Sequence, residues 1–162
     1  MEGTLGLRGY LGLGSNVGDS LANLRAAADA LPVTARSSVY VTEPQGEVLD
    51  QPDFLNAAVQ IETDLEPLAL LELCKRTESD LGRDFSQIRH GPRVVDIDLL
   101  LLGNVTLSHP RLTLPHRDVL TRRFVLVPLL EIDPSLALPD GTRLADALER
   151  LEGQRVEKVG VL

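Results

Sequence analysis

Residues 94–102 read Val-Val-Asp-Ile-Asp-Leu-Leu-Leu-Leu, an apolar run interrupted only by two acids. A short, nearly continuous apolar run of this kind predicts a strand covered on both faces, and so a central place in a sheet. Side chains alternate along a strand, which puts Asp96 and Asp98 on one face with their Cα atoms about 7 Å apart. Two carboxylates so placed repel each other in apolar surroundings unless a cation compensates them. Oxygen donors in this number suit Mg²⁺, which commonly takes one or two carboxylates and completes its shell with substrate phosphates. The alternative is that both acids pair with arginines of the preceding loop.

The other elements follow from period and punctuation. Residues 7–13 predict a first strand, ending at Gly12, Gly14 and Gly18. Leu21, Leu24, Ala28 and Leu31 recur at helical spacing, and Pro32 closes that helix. Residues 33–42 alternate and predict one strand, and residues 54–61 another. Between them, residues 43–53 carry Pro44, Gly46 and Pro52 and predict a loop. Residues 65–81 predict a strong helix, with Pro67 in the first turn and Gly82 at the end. Residues 82–92 show neither period and form a long polar loop. After the acidic strand come residues 112–115, a helical stretch near 117–132, a turn at Pro139-Asp140-Gly141, a short helix near 144–151 and a last strand near 156–161. The order β-α-β-β-α-β predicts a ferredoxin-like α+β sandwich, with residues 117–151 as an appended helical layer and a C-terminal strand. Length fits one domain over residues 1–162, and no linker or repeat divides it.

Charge narrows the partners. The net charge of −8 argues against broad nucleic-acid binding. Residues 83–123 nevertheless hold seven arginines against four acids, +3 in a chain whose remainder is −11, and all three histidines fall in that window. Arginine forks match phosphate oxygens. A plain basic surface is the bland reading, and two acids within the patch favour a polyphosphate site. A nucleic-acid groove would need stacking aromatics, and only Phe85 in the window and Phe124 just after it are on offer. No apolar run spans a bilayer and no leader precedes the fold, so a cytoplasmic location without membrane contact is expected. Cys74 lies among Leu70, Leu71 and Leu73 and predicts a buried thiol. Gly12-Leu13-Gly14-Ser15-Asn16-Val17-Gly18 has Val17 where a dinucleotide loop needs its third glycine, and predicts a tight strand-to-helix turn. No Ser/His/Asp or Cys/His set points to covalent catalysis.

Four segments together carry a resemblance: Leu13-Gly14-Ser15-Asn16, Gln51-Pro52-Asp53-Phe54-Leu55-Asn56, Gly91-Pro92-Arg93-Val94-Val95-Asp96-Ile97-Asp98, and Arg111-Leu112-Thr113-Leu114-Pro115-His116. The sequence resembles the 6-hydroxymethyl-7,8-dihydropterin pyrophosphokinases of folate biosynthesis over about residues 10–134. That resemblance implies transfer of pyrophosphate from ATP to the pterin's hydroxymethyl oxygen, leaving AMP. It implies two Mg²⁺ ions on Asp96 and Asp98, with Arg83 and Arg93 closing on the triphosphate. Nucleotide contacts carry over to Glu78, Arg93, Leu99, Arg111, Thr113, His116 and Arg122. Pterin contacts carry over to Thr42, Pro44, Gln45, Phe54, Asn56 and Phe124, the two phenylalanines enclosing the ring. Departures from the family pattern are Phe85 for a loop arginine, His90 for a tryptophan, Lys75 for a glutamine and Arg117 for a tyrosine. Arg89 and Arg117 are then spare charges near the nucleotide. The expected partners are small molecules only, and the expected state is a monomer. A Mg²⁺-dependent phosphohydrolase and a pterin-binding module without chemistry are the competing readings.

Overall fold

The structure, a computed structural model, describes residues 6–42, 53–82 and 94–162. Its elements are β1 (Leu7–Ser15), α1 (Ser20–Asp29), β2 (Val33–Arg36), β3 (Ser38–Thr42), β4 (Phe54–Thr63), α2 (Pro67–Asp80), β5 (Asp96–Leu102), β6 (Leu107–His109), β7 (Leu112–Leu114), α3 (Arg123–Ile132), α4 (Leu144–Glu149) and β8 (Val156–Val161). The main sheet runs β5-β1-β4-β3-β8, with β2 also paired to β4, and every pairing is antiparallel. Counting β2 and β3 as one interrupted strand, this is the expected ferredoxin-like order with β8 added at the edge.

Local chemistry sets the helix ends. Asp19 accepts the Ala22 N–H at 3.1 Å and caps α1. Pro67 opens α2, where its missing N–H costs nothing, and Gly82 takes φ +98° just past its end. The apolar stripes of both helices bury against one sheet face, where Leu24 and Ala28 of α1 and Leu70 and Cys74 of α2 meet Leu11, Leu13, Val59 and Ile97. Cys74 is buried as expected, and burial pushes its thiol up to about 12, which keeps it protonated and inert. The opposite face packs Tyr10, Ala58 and Leu100 under Leu126 and Leu129 of α3, with Leu144 and Ala147 of α4 behind.

Four expectations change. The strand expected over residues 33–42 breaks at Ser37, whose hydroxyl donates to the Ser38 carbonyl at 2.7 Å and accepts the Ala58 N–H at 2.8 Å, replacing a ladder bond. The acidic strand β5 is not central: among the described residues it pairs with β1 alone. Its continuous apolar pattern reflects two covered faces rather than two bonded neighbours. Ile97 and Leu99 join the α1–α2 core, while Leu100 and Leu101 join the α3 core across a bulge that shifts the register opposite Tyr10 and Leu11. The His116 N–H donates to the Leu100 carbonyl at 2.9 Å and covers part of the free edge. Finally, Gly12 and Gly14 belong to β1 itself, and the turn into α1 lies beyond Ser15, with Gly18 at φ +70°. The appended helix also starts at Arg123 rather than near 117. The loop expected over residues 43–53, Asp53 apart, and that over 82–92, from Arg83 on, lie outside the described residues.

Candidate functional site

The site grows from one row of the sheet. Asn56 on β4 pairs with Gly14 on β1, and Gly14 pairs on its other side with Asp96 on β5. Ala58, Gly12 and Asp98 form the next row on the same face. At strand spacings of 4.7–4.9 Å, the Cα atoms of Asn56 and Asp96 stand about 10 Å apart. The strip between them is bare because β1 offers only glycines there. α3 covers this face farther along, over Tyr10, Ala58 and Leu100, and leaves the glycine end clear of that cluster.

On the β4 side, Asn56 is 8% exposed and donates through Nδ2 to Thr42 Oγ1 at 2.6 Å. Its Oδ1 is thereby turned to the strip: a Cβ added at Gly14 would lie 3.0 Å from that oxygen and 3.8 Å from Phe54 Cδ1. Phe54 opens β4 half-buried, one row out, opposite Thr42.

On the β5 side, burial, the Asp96 charge and the Glu78 charge together push the Asp98 pKa up to about 7, against the opposing pull of Arg122 and Lys75. Glu78 of α2 is fully buried, and its Oε2 accepts the Ile97 N–H at 2.6 Å, between the two acids. It therefore sits beneath the two acids and holds their backbone, and it is not among the residues that line the edge cleft. Replacing Glu78 by Ala leaves that buried N–H without its acceptor and should cost about 1–3 kcal/mol in urea unfolding, whereas Glu78→Gln, which keeps an acceptor, should cost less.

A cleft of about 310 Å³ opens at the free edge of β5, lined by Leu71, Lys75, Asp98, Leu99, Arg111, Thr113, His116 and Arg117 among others. Arg111 stands at the two-residue tip of the β6–β7 hairpin, a pairing the sequence pattern missed because its strands have three residues each. The Arg111 side chain is ion-paired with Glu72 of α2. His116 follows the cis Leu114–Pro115 bond, and its Nδ1 accepts the Asp118 N–H at 3.1 Å, which leaves Nε2 as the protonated nitrogen. Burial, then the neighbouring Arg122 charge, lower its pKa, so His116 is a neutral donor at pH 7. Arg122 pairs with Asp118 at 3.1 Å, and its guanidinium carbon lies 5.7 Å from the centre of the Phe124 ring.

Of the residues expected from sequence, the structure thus gathers Asp98, Leu99, Arg111, Thr113 and His116 round one cleft. It sets Asp96 beside them, and places Phe54 and Asn56 two strands away and Thr42 three. Arg83, Arg93, Pro44, Gln45, Phe85, Arg89 and His90 lie outside the described residues. Sequence reasoning missed Gly12 and Gly14 as the floor of the site. The signal was present: two glycines at a spacing of two inside a strand mark a close approach on one face.

The carboxylates fit a divalent cation. They are crowded, one is held toward neutrality by its surroundings, and no group of three or more His, Cys, Asp or Glu forms a cage among the described residues. Such a pair leaves most of the coordination shell to water and phosphate, as Mg²⁺ prefers.

These features define a class of protein: an antiparallel α+β sandwich with a carboxylate pair between a basic edge cleft and a glycine-floored strip. Within that class, residues 10–134 match the model of the 7,8-dihydro-6-hydroxymethylpterin-pyrophosphokinase (HPPK) family, and the chain belongs to that family. The 2-amino-4-hydroxy-6-hydroxymethyldihydropteridine pyrophosphokinase of Methylorubrum extorquens is 48% identical over 158 residues, 94% of this chain and 98% of that one. The enzyme of the same name from Pseudomonas aeruginosa is 39% identical over 158 residues, 94% and 96% of the two chains. Among solved structures, the HPPK-DHPS protein in complex with substrates has a TM-score of 0.72 over 90% of this chain at 14% identity, a likeness of fold. This chain spans 43% of the length of that one.

Proposed function

We propose that this chain is a Mg²⁺-dependent pyrophosphokinase that moves the terminal diphosphate of ATP onto 6-hydroxymethyl-7,8-dihydropterin in folate synthesis. The observation that carries the reading is the row Asn56–Gly14–Asp96: a heterocycle anchor and a metal-type acid on one face, about 10 Å apart across a bare strip. Asn56 Oδ1 accepts from ring N–H groups of the pterin, and Phe54 and Phe124 offer their faces to the ring. The triphosphate lies along the edge cleft, where Arg111 exchanges Glu72 for phosphate oxygens and His116 donates through Nε2. The pterin hydroxymethyl oxygen then forms a bond to the β-phosphorus while the α–β bridging bond breaks. The hydroxyl proton passes to water, and AMP leaves with the bridging oxygen. Two Mg²⁺ ions on Asp96 and Asp98 would neutralise the phosphate charge during this transfer. Alignment and charge compensation suffice, which agrees with the lack of a nucleophile–base pair among the described cleft residues. No described helix is long and apolar enough to cross a membrane. We take the whole chain to act as one monomeric domain on small molecules, in the cytoplasm.

Purified protein given Mg²⁺, ATP and 6-hydroxymethyl-7,8-dihydropterin should form AMP and pterin diphosphate in equal amounts, and omitting the pterin should stop AMP release. No AMP in the complete mixture would refute the proposal. Phosphate release from ATP without pterin would identify a hydrolase instead.

A further inference from the structure

The family match ends at residue 134, yet two consecutive residues beyond it reach back to the element ends that carry Phe124 and Phe54. Gln154 Oε1 accepts the Arg123 N–H at 2.7 Å, and its Nε2 donates to the Thr121 carbonyl at 3.1 Å. The helix α3 needs this: its N-cap residue, Arg122, makes no side-chain capping bond. Gln154 supplies the acceptor from 31 residues away, at the turn that carries Arg122 and Phe124. Its neighbour Arg155 donates through Nη2 to Asp53 Oδ2 at 2.7 Å, and Asp53 immediately precedes Phe54. Phe54 is the first residue of β4 and Phe124 the second of α3, so each stands at an element end, where backbone frays most readily.

We propose that Gln154 and Arg155 form a brace that fixes the separation and tilt of Phe54 and Phe124, making the segment before β8 a positioning device for the pterin. This rests on the pterin reading of the pocket. The bond to the Arg123 N–H is part-buried, while the Gln154–Thr121 and Arg155–Asp53 links are exposed, and together they carry little of the global stability. Their effect is on geometry: an aromatic slot matched to a flat ring loses affinity when one wall shifts by a fraction of an ångström.

The test is calorimetric titration of 6-hydroxymethyl-7,8-dihydropterin into protein saturated with a non-hydrolysable ATP analogue and Mg²⁺. Gln154→Ala and Arg155→Ala should each raise the pterin Kd about three- to tenfold, with Tm within about 2 °C of the parent. The charge-swapped pair Asp53→Arg with Arg155→Asp should recover most of the loss seen in Arg155→Asp alone, which a role in bulk folding would not produce. Parent-like pterin affinity in both alanine variants would overturn the brace and leave the pterin reading intact. An affinity loss that only follows a falling Tm, with no recovery in the swapped pair, would also overturn it. A parent protein that binds no pterin would overturn the pterin reading, and the brace with it.

Discussion

Asp96→Ala and Asp98→Ala should each lower the rate of AMP formation by about two to four orders of magnitude, because losing a metal ligand removes several kcal/mol of charge stabilisation from the transition state. The two acids share a face at the edge of the sheet, and the described residues offer no third carboxylate, thiolate or imidazole to replace either in a metal cluster. Stability should move the other way. Burial and the charges of Asp96 and Glu78 push the Asp98 carboxyl up to about 7, so the ionised group is disfavoured in the metal-free fold. At pH 8, where Asp98 is ionised, metal-free Asp98→Asn should melt no lower than the parent and gain less from added Mg²⁺. A residue present for structure would lose Tm and activity together. Normal turnover in either alanine variant would remove the metal assignment, and a large fall in Asp98→Asn stability would show a structural pair.

Gly14→Val should abolish measurable pterin binding, and Gly14→Ala should weaken it about ten- to a hundredfold, while the affinity for an ATP analogue changes little. The backbone of Gly14 is ordinary extended strand, so the cost is one of space rather than φ. The first added carbon comes 3.0 Å from Asn56 Oδ1. Asn56 cannot yield easily, because its amide nitrogen is tied to Thr42 in a buried pair. It must either break that bond or turn its acceptor away from the ligand, and a valine also occupies the strip where the ring would lie. Gly12 provides the comparison on the same strand: its added carbon meets Leu100 Cδ1 at 3.4 Å, an ordinary contact with a flexible side chain, so Gly12→Ala should be milder for the pterin. Titration of the pterin and of the nucleotide into each variant separates the two sites. Equal loss of both ligands in Gly14→Ala would mean a damaged sheet and not a blocked pocket.

Much of this was legible along the chain, because it depends on local period and local caps. The alternation of residues 94–102 placed both acids on one face, Pro67 and Gly82 marked the ends of α2, and Leu70 to Leu73 predicted the burial of Cys74. Arg111, His116 and Arg117 of the arginine-rich window line the edge cleft. Other features were invisible for a physical reason. An apolar strand pattern reports how many faces are covered and not how many neighbours are hydrogen-bonded, so β5 was expected at the centre and lies at the edge. Glu78 came forward only through the resemblance, and the burial that brings its carboxylate against the Ile97 N–H depends on how α2 packs on β5. Gln154 had no local partner to betray it.

The sequence alone therefore determined most of the elements, their faces and the chemistry available on each. The tertiary structure decided what that chemistry meets. Gly14, Asn56 and Asp96 are each separated along the chain by 40 residues or more, and no local period can encode that they share a row. The register of non-local strands does, because a slip by one residue would turn every side chain to the opposite face and take the acids away from the glycine floor.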